Sequence, residues 1–526
     1  MNNIEILDCT LRDGGYINNW NFGKKNIDMI FENLISSNVD YIELGYIDRT
    51  CNIDINSTKF NSLKDLEVYG TKFSKSICMI DFGKYPIEEI PNADESNVFG
   101  IRVAFSKKDV IAALEYCKQL KDKGYNVFVQ PMVTASYSIK EINALLDEIN
   151  KMKPYALYIV DSFGSMNEKK VIELLNAYTD KLSKNVIIGF HSHNNLQLAY
   201  SNAKVFIENA GDRKVIVDSS VYGMGRGAGN LATELIANYL NDNDSKEINV
   251  NAIIEIIDNY LLELKKEKKW GYCLEYYLSA VNDCHPNYAK YLSEMHTMTI
   301  NDIKTILHRI ANDKKAKFNE EYINELYTAF MNKKIDDNNS YAELKTILNN
   351  KKVLILGSGE TLKLEKEKID NIIDDNTVII SLNEDNQIYN SNYIFISNRR
   401  RYKNLDDNNS KKLICTSNVS IDTNNHLIFD YFDNLANDYE NSDNVLLMFI
   451  NILIKADINE IYLAGFDGFS CERKNFYSDE LSYITEKERA DRVNSIMNKY
   501  IKLYSKKIKL NWVTDSNYIK EENKWK

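Results

Sequence analysis

Two short segments of the chain carry side-chain types that often bind divalent cations in proteins. Arg12 and Asp13 precede two glycines, which place a guanidinium and a carboxylate on a tight loop. His191 and His193 are two residues apart, and on an extended segment side chains at this spacing point the same way. Asp13 with the two histidines would supply three ligands and leave open positions for substrate and water. These residues predict a catalytic metal site.

Either segment alone is weak evidence, because a loop aspartate is usually solvated and a His-x-His pair is often incidental. Their meaning depends on a fold that brings them together. Up to about residue 220, β-branched or apolar runs alternate with amphipathic stretches such as Lys25–Ser36, Asp109–Lys121 and Ser138–Asn150. There are eight such runs: Ile4–Cys9, Tyr41–Leu44, Ser76–Ile80, Gly100–Ala104, Asn126–Gln130, Ala156–Val160, Asn185–Phe190 and Lys214–Asp218.

Eight strands with intervening helices match the count and size of a (β/α)₈ TIM barrel, whose active sites lie at the carboxyl ends of the strands. The Arg12–Asp13 loop follows the first run and His191 follows the seventh, so both fall at that end. A doubly wound open sheet is the alternative. We place the barrel domain at residues 1–250.

The rest of the chain divides in two. Residues 251–340 carry helix-period apolar positions and form a helical extension that ends in the polar run 336–340. Residues 345–526 predict a separate Rossmann-like α/β domain. Its expected strands are Lys352–Leu356, Thr377–Leu382, Tyr393–Ser397 and Ile461–Ala464, and its helix Val445–Lys455 has Ser442 and Asp443 as cap candidates.

Charge, apolar run length and cysteine spacing argue against several classes of protein. The 526 residues carry 65 basic and 76 acidic side chains, a net charge of −11, which argues against nucleic acid as a partner. The N-terminus has no signal-peptide pattern, and the longest apolar run, Val445–Ile454, is too short to span a bilayer. Eight cysteines without zinc-ligand spacing suit a cytoplasmic protein with reduced thiols. Cys9 is interpreted as a core residue.

Three motifs in order resemble the DRE-TIM metallolyase superfamily: Thr-Leu-Arg-Asp-Gly at 10–14, His-Ser-His-Asn-Asn at 191–195 and the glycine-rich turn 223–230. The resemblance covers about residues 1–270. It is strongest to 4-hydroxy-2-oxovalerate aldolases, with hydroxymethylglutaryl-CoA lyase as a more distant relative. The family acts on 2-oxo acids bound to Mn²⁺ or Mg²⁺.

By this resemblance, Asp13, His191 and His193 match the metal ligands, and Arg12 matches the arginine that stabilises the enolate oxygen. Glu43 matches the acidic residue after the second strand. Two further positions are assigned to substrate binding. Ser162 matches the position that holds the substrate carboxylate. Asn230 matches a residue that is an additional ligand in the CoA lyases.

The general base is not settled by the motifs. The aldolases have a histidine four residues after the arginine, where this chain has Tyr16, and the cysteine of the CoA lyase loop is absent from residues 223–229. Tyr16 is one candidate for the proton relay, with a packing role as the alternative. His285 is another, although a structural role is favoured there.

In the C-terminal domain, a strand enters the turn Gly357-Ser358-Gly359, whose amides could hold a phosphate. The turn fits neither a P-loop nor a dinucleotide fingerprint. Together with Asn383 and the Gly-Phe-Asp element ending at Asp467, it resembles the nucleotide-sugar-binding fold of bacterial surface-glycan sialyltransferases. We predict nucleotide or nucleotide-sugar binding by Gly357, Ser358, Gly359 and Asn383, without sugar transfer, because no histidine follows Asp467. A purely structural turn is the alternative.

The sequence as a whole predicts a metal-dependent carbon–carbon lyase, or an aldol or Claisen synthase, with an aldehyde or acyl acceptor as second substrate. The two resemblances together indicate surface-polysaccharide metabolism. A glycosyltransferase working through the C-terminal domain and a non-catalytic scaffold are the alternatives. The acceptor, the direction of reaction and homo-oligomerisation stay open.

Overall fold

Eight parallel strands close into a barrel in the computed structural model, which describes residues 3–66, 69, 73–244, 246–295, 297–403, 405, 412–419, 426–436, 443–470, 475–477 and 487–519. The first nine strands are β1 Ile4–Asp8, β2 Tyr41–Ile47, β3 Lys59–Phe60, β4 Ser76–Asp81, β5 Gly100–Phe105, β6 Asn126–Pro131, β7 Ala156–Asp161, β8 Ile187–Ser192 and β9 Val215–Ser219. Their order is β1-β9-β8-β7-β6-β5-β4-β2-β3.

Pairing of β1 with β2 closes the sheet, so the barrel prediction is confirmed and the open-sheet alternative is wrong. All eight predicted runs are strands, with ends that differ by two or three residues at most. The short strand β3 was not predicted. It pairs with β2 just after a register shift between Glu43 and Tyr46, where β2 bends.

Alternate side chains of the barrel strands pack into two separate layers. One layer fills the barrel interior and includes Leu7, Tyr41 and Phe128. The other packs outward against the helices, as Ile6, Ile42 and Val127 do. Because both faces are buried, the strands read as continuous apolar runs, and a charged residue within one must find a partner inside the barrel.

Helices cover the outside of the barrel. Three were predicted, Lys24–Ser36, Val110–Asp122 and Ile139–Met152, and three more are present, Glu168–Lys181, Ala199–Asn209 and Thr233–Asn243. A one-turn helix, Gly15–Asn18, follows β1. Helix Ile139–Met152 begins at a capping box, in which Ser138 accepts from the Glu141 amide and Glu141 from the Ser138 amide.

Between the barrel and the second sheet the described chain is helical: Val250–Ile256, a π-helical turn Ile257–Leu261, Leu262–Glu267, Leu274–Val281, Pro286–Glu294, Ile300–His308, Glu320–Met331 and Asn338–Leu348. The last helix begins inside the polar run 336–340, so only the start of that run is a loop. The chain folds into two compact units, Met1–Tyr291 with Leu307–Asn319, and Leu292–Ile306 with Glu320–Lys526.

The second unit holds a parallel seven-stranded sheet: β10 Lys352–Leu356, β11 Thr377–Leu382, β12 Tyr393–Ile396, β13 Lys412–Thr416, β14 Leu427–Phe429, β15 Glu460–Ala464 and β16 Lys509–Trp512. The order is β14-β13-β12-β11-β10-β15-β16, so the chain reverses its direction of travel across the sheet between β10 and β15. The four predicted strands are present. The name Rossmann-like for this sheet stays a prediction.

The described helices of this sheet are Thr361–Leu364, Lys366–Asp370, Arg399–Tyr402, Val445–Lys455 and Lys487–Tyr504. Helix Val445–Lys455 was predicted, but its cap is Asn444, whose side chain accepts from the amides of Leu446 and Leu447. Asp443 was expected in that role and instead accepts from the hydroxyl of Tyr327. Ser442 lies outside the described residues. Within the described part of the chain, no helix is long and apolar enough to cross a membrane.

Candidate active site

The loop after β1 turns Arg12 and Asp13 into the barrel. Asp8 holds its start by accepting from the Thr10 amide at 2.9 Å. A Cβ on Gly14 would overlap the carbonyl oxygen of Thr10, and one on Gly15 would overlap the indole of Trp20. Both glycines are therefore needed for this tight loop.

Asp13, His191 and His193 come together as predicted, at the carboxyl ends of β1 and β8. The Nε2 of His191 lies 3.2 Å from Asp13 Oδ2, and the Nε2 of His193 lies 3.7 Å from the same oxygen. All three side chains are buried. Their ligand atoms thus face one small volume.

The other ring nitrogen of each histidine is held from behind. His191 Nδ1 lies 2.9 Å from Asp218 Oδ2, and His193 Nδ1 lies 2.9 Å from the carbonyl oxygen of Asp161. Such contacts fix the ring orientation and leave Nε2 for a metal, an arrangement typical of metal-ligating histidines.

Two buried oxygens at this site have no hydrogen-bond partner among the described residues: Asp13 Oδ1 and Asn230 Oδ1. Asn230 is joined to the cluster, since its Nδ2 donates to Asp13 Oδ2 at 3.1 Å. Leaving a buried acceptor unpaired is costly, and a bound cation would satisfy both oxygens. The donor set of carboxylate, amide and imidazole suits a divalent cation.

Cys9 lies beside this cluster, with its sulfur, an Asp13 oxygen and a His191 nitrogen all within 4.8 Å of one another. Its thiol donates to the carbonyl oxygen of Ser219 at 3.1 Å. Burial raises the pKa of the Cys9 thiol well above its ordinary value, so it stays neutral. The geometry favours the structural interpretation of Cys9.

Arg12 is positioned by two carboxylates. Its Nε donates to Glu43 Oε2 at 2.7 Å, and its Nη1 lies 3.2 Å from Asp13 Oδ2. The Nη2 atom is buried and has no partner among the described residues. The guanidinium therefore keeps the NH₂ group at Nη2 for a ligand.

Behind the site, Arg102 completes a closed ring of buried charges that sequence reasoning missed. Its guanidinium binds Asp218 with contacts of 2.6 and 3.1 Å, and its Nε lies 3.4 Å from Glu43 Oε1. Asp218 bonds His191, and Glu43 bonds Arg12. In the sequence, Arg102 appears only as a charged residue within an apolar strand. Its partners Asp218 and Glu43 lie on other strands and reach it only when the barrel closes.

This ring contains three carboxylates, Asp13, Glu43 and Asp218, and two guanidiniums, Arg12 and Arg102. Three carboxylates against two guanidiniums leave one acidic group in excess, which a proton on His191 or a bound cation can balance. Buried charge without compensation is unfavourable, so the ring favours a cation.

The pKa values of the three proposed ligands reflect these neighbouring charges. Burial raises the pKa of Asp13, but Arg12 and the histidines outweigh burial and hold it well below its ordinary value. Burial lowers the pKa of His191, yet its bonds to Asp13 and Asp218 raise it above 6.5. Burial lowers the pKa of His193 to about 3 against the pull of Asp13. His193 is thus neutral near pH 7, as a metal ligand must be.

Tyr16 lies at the mouth of the barrel. Its hydroxyl is 3.0 Å from that of Tyr46, and its ring meets Trp20 edge-on at 4.7 Å. Arg226 lies 5.8 Å above the ring. Burial raises the pKa of the Tyr16 phenol although Arg226 lowers it. At neutral pH the phenol therefore keeps its proton.

Ser162 and His285 have local partners. The Ser162 hydroxyl accepts from the Val133 amide at 2.9 Å, and its carbonyl accepts from Arg226 at 2.9 Å. His285 Nδ1 accepts from the Asn287 amide at 3.2 Å, and burial lowers its pKa to about 3. These contacts favour a structural role for His285.

The barrel region is similar to known proteins. Residues 93–259 match the family model described as HMGL-like. This match covers 167 residues, about a third of the chain, and lies within the barrel region.

Relatives of the barrel include two 4-hydroxy-2-oxovalerate aldolases. The protein from Bacillus cereus is 27% identical over 240 residues, which is 44% of this chain and 68% of the relative. That from Geobacillus thermodenitrificans is 28% identical over the same shares. The N-terminal domain of a candidate aldolase from Bacteroides vulgatus is 29% identical, with a TM-score of 0.48 over 56% of this chain and 98% of that one.

In the second unit, the four residues predicted to bind a nucleotide line one cavity. Gly357, Ser358, Gly359 and Asn383 all border it, and its volume is about 260 Å³. Asn383 has a left-handed backbone, with φ 59°, and its Oδ1 accepts from the Ser397 amide at 3.1 Å. Its side chain therefore also shapes the loop.

Asp467 borders the same cavity and is held by Thr361, whose amide donates to Oδ2 at 3.0 Å and whose hydroxyl donates to Oδ1. A Cβ on Gly359 would overlap the Asp467 carboxylate. Gly359 is therefore needed for the strand–turn packing, whatever the cavity binds.

Proposed function

We propose that the HMGL-like barrel is a divalent-metal-dependent carbon–carbon lyase, or an aldol or Claisen synthase, that acts on a 2-oxo acid such as pyruvate. The observation that carries the proposal is the convergence of Asp13, His191 and His193 beside the guanidinium of Arg12. The aldolase relatives support it.

Asp13, His191 and His193 would hold the cation, with the unpaired Asn230 oxygen beside them. When bound, Mn²⁺ or Mg²⁺ supplies Lewis-acid polarisation of the substrate carbonyl. Asp218 and the Asp161 carbonyl keep both imidazoles turned toward Asp13, so the ligands are in place before the metal arrives.

Arg12 would stabilise the negative charge that develops on the carbonyl oxygen during cleavage or condensation. Glu43 holds its Nε, which directs the rest of the guanidinium toward Asp13 and leaves Nη2 for the substrate. A fixed donor of this kind contributes on the order of 2.7–4 kcal/mol to transition-state stabilisation.

The mouth of the barrel would bind the organic substrates. Ser162 and Asn230 are proposed to hold the 2-oxo acid, and Tyr16, as a neutral phenol, would donate a hydrogen bond to the aldehyde or acyl acceptor. Arg226 links these groups, because it donates a hydrogen bond to the Ser162 carbonyl oxygen and lies over the ring of Tyr16.

The test is an assay of the full chain with Mn²⁺ or Mg²⁺ against pyruvate and a panel of aldehydes. We expect condensation, cleavage or exchange of the pyruvate methyl protons with solvent. The variants His191→Ala and His193→Ala should lose both activity and metal binding. His308→Ala, at an exposed histidine, is the matched control.

Absence of all three reactions in the wild type would overturn the proposal. Metal affinities of the His191→Ala and His193→Ala variants equal to that of the wild type would overturn the ligand assignment.

We propose a second activity for the other unit: binding of a nucleotide or nucleotide-sugar, without transfer of the sugar. The supporting observation is the cavity beside the turn after β10, where the strand order reverses. In parallel sheets ligands bind at such points. Calorimetric titration with CMP, UDP and CMP-sugars tests it. No binding of any of them overturns the proposal, and robust transfer overturns the absence of catalysis.

A further inference from the structure

The third strand of the barrel, β4, carries an acid that neither the motifs nor the metal site use. Ile77 lies in the interior layer, and Met79 packs in an upper interior cluster with Tyr46 and Ala104. Side chains of a strand alternate between faces, so Asp81 shares the interior face with them. It is the last residue of β4 and pairs with Ala104 of β5. Asp81 thus stands at the mouth of the barrel.

The Asp81 carboxylate lies among charged groups but is bound by none of them. In the described ranges its side chain has neither a hydrogen bond nor an ion pair. Arg12, Lys84 and Arg226 are close enough to lower its pKa and Asp48 close enough to raise it, while burial, the largest influence, raises the pKa overall. Asp81 in turn raises the pKa values of the phenols of Tyr16 and Tyr46.

The other acids around the barrel mouth are already engaged. Asp13 and Asp218 bond His191, and Glu43 bonds Arg12. Asp161 accepts from the amides of residues 165 and 166, and Asp8 accepts from Thr10 and Thr233. Of the acids named here, Asp81 is the one whose carboxylate has neither a side-chain hydrogen bond nor an ion pair among the described residues.

Tyr16 fits the role of base less well. Its hydroxyl is already paired with that of Tyr46, and its phenol is protonated near neutral pH. A carboxylate is ionised there, and moderate burial makes it a stronger base. Asp81 and Tyr16 are close enough to influence each other's charge, so they offer a proton acceptor and a proton donor in the same part of the barrel mouth.

We propose that Asp81 is the general base of the barrel, an inference that rests on the proposed function. The Asp81 carboxylate removes a proton from C3 of the 2-oxo acid. The C–H electron pair forms the C2=C3 double bond as the carbonyl pair moves onto oxygen. In condensation, C3 then attacks the aldehyde carbon, and the proton on Asp81 passes to the new alkoxide. Cleavage runs through the same steps in reverse.

The experiment measures exchange of the pyruvate methyl protons with D₂O by NMR, using the full chain and Mg²⁺. Asp81→Asn removes the base and nearly preserves shape, so we expect exchange to fall by on the order of 10²-fold or more. Mg²⁺ affinity, measured by calorimetry, should stay near that of the wild type. Asp48→Asn is the matched control, because that carboxylate faces Asp81 but bonds Thr50, and it should exchange as the wild type does.

Two further variants separate a catalytic from a structural role. Asp81→Glu should retain part of the exchange. Added formate should partly restore exchange to Asp81→Ala. In Asp81→Ala, the fall in exchange rate that the wild type shows at acidic pH should be absent. Wild-type exchange in Asp81→Asn, or loss of Mg²⁺ binding together with exchange, overturns the assignment. If the wild type binds Mg²⁺ and exchanges no protons, the proposed function fails and Asp81 with it.

Discussion

The barrel mouth and the cavity of the second unit both lie at the carboxyl ends of parallel strands, yet they are lined by different types of residue. The barrel mouth is walled by buried ions, with two guanidiniums and three carboxylates in one ring. The cavity is bordered largely by glycine backbone, amide side chains and aromatic rings, and its acids Asp443 and Asp467 already accept from hydroxyl groups. The first arrangement suits charge that forms during a reaction, and the second suits a ligand that is bound unchanged.

Removing a metal ligand should separate the two sites most sharply. In Asp13→Ala we expect turnover to fall on the order of 10³-fold or more, since a Lewis acid contributes several kcal/mol. Mn²⁺ binding, followed by calorimetry, should disappear as well. CMP binding by the cavity should be unchanged. Retained Mn²⁺ affinity would place the metal elsewhere.

Arg12→Gln should affect the reaction more than the metal. We expect kcat to fall by about 10²–10³-fold, because the donor is lost where negative charge develops. Steady-state kinetics and Mn²⁺ titration together check this. Arg401→Gln, which removes the guanidinium that borders the cavity, is the counterpart and should leave kcat at its wild-type value. An effect of Arg12→Gln on KM alone would contradict the assignment.

Asp218→Asn tests whether the ring behind the site matters. It weakens the hold on His191 and leaves Arg102 short of a charge partner, so metal affinity should fall about 10–100-fold. Stability should fall by about 3–5 kcal/mol, the usual effect of breaking a buried ion pair. Calorimetry and urea unfolding measure the two effects. Unchanged metal affinity with reduced stability would limit the ring to folding.

The pH dependence of metal binding follows from His191. Its pKa in the folded apoprotein is above 6.5, so a proton competes with the metal from above that pH downward. Mn²⁺ affinity should fall by up to about tenfold per pH unit on the acidic side. Without metal the sign reverses: the raised pKa adds stability below 6.5, and this is lost as the pH rises through the folded pKa. Titrations and urea unfolding on both sides of 6.5 test both signs.

The smallest expected effect belongs to the cavity. Ser358→Ala removes one hydroxyl from its border, and a neutral hydrogen bond contributes about 1 kcal/mol, so CMP affinity should fall about fivefold. Pyruvate exchange by the barrel should not change. An unaltered CMP affinity would remove Ser358 from the proposed nucleotide site.

The sequence predicted those parts of the fold that local pattern determines. The eight barrel strands are buried on both faces and appear as apolar runs, and a His-x-His pair at the end of a strand needs no tertiary information. The strands β13, β14 and β16 were missed because polar residues lie within or beside them. Local pattern also did not distinguish Asn444 from its two neighbours as the helix cap.

The charged residues behind the proposed metal ligands could not be predicted from local sequence pattern. Arg102, Asp218 and Glu43 come from three strands far apart in sequence, and they meet only because β1 pairs with β2. A single sequence shows that a charge lies within an apolar strand. It does not show which opposite charge faces it across a barrel.

Gly14 and Gly15 have a consequence for how this barrel can change. Because any side chain there would overlap Thr10 or Trp20, the backbone that presents Arg12 and Asp13 cannot drift. Tyr16, the next residue, is more than a third exposed and has room to vary. Mutational diversity should therefore accumulate from position 16 onward, so libraries aimed at new acceptors should begin at Tyr16 and leave the preceding turn untouched.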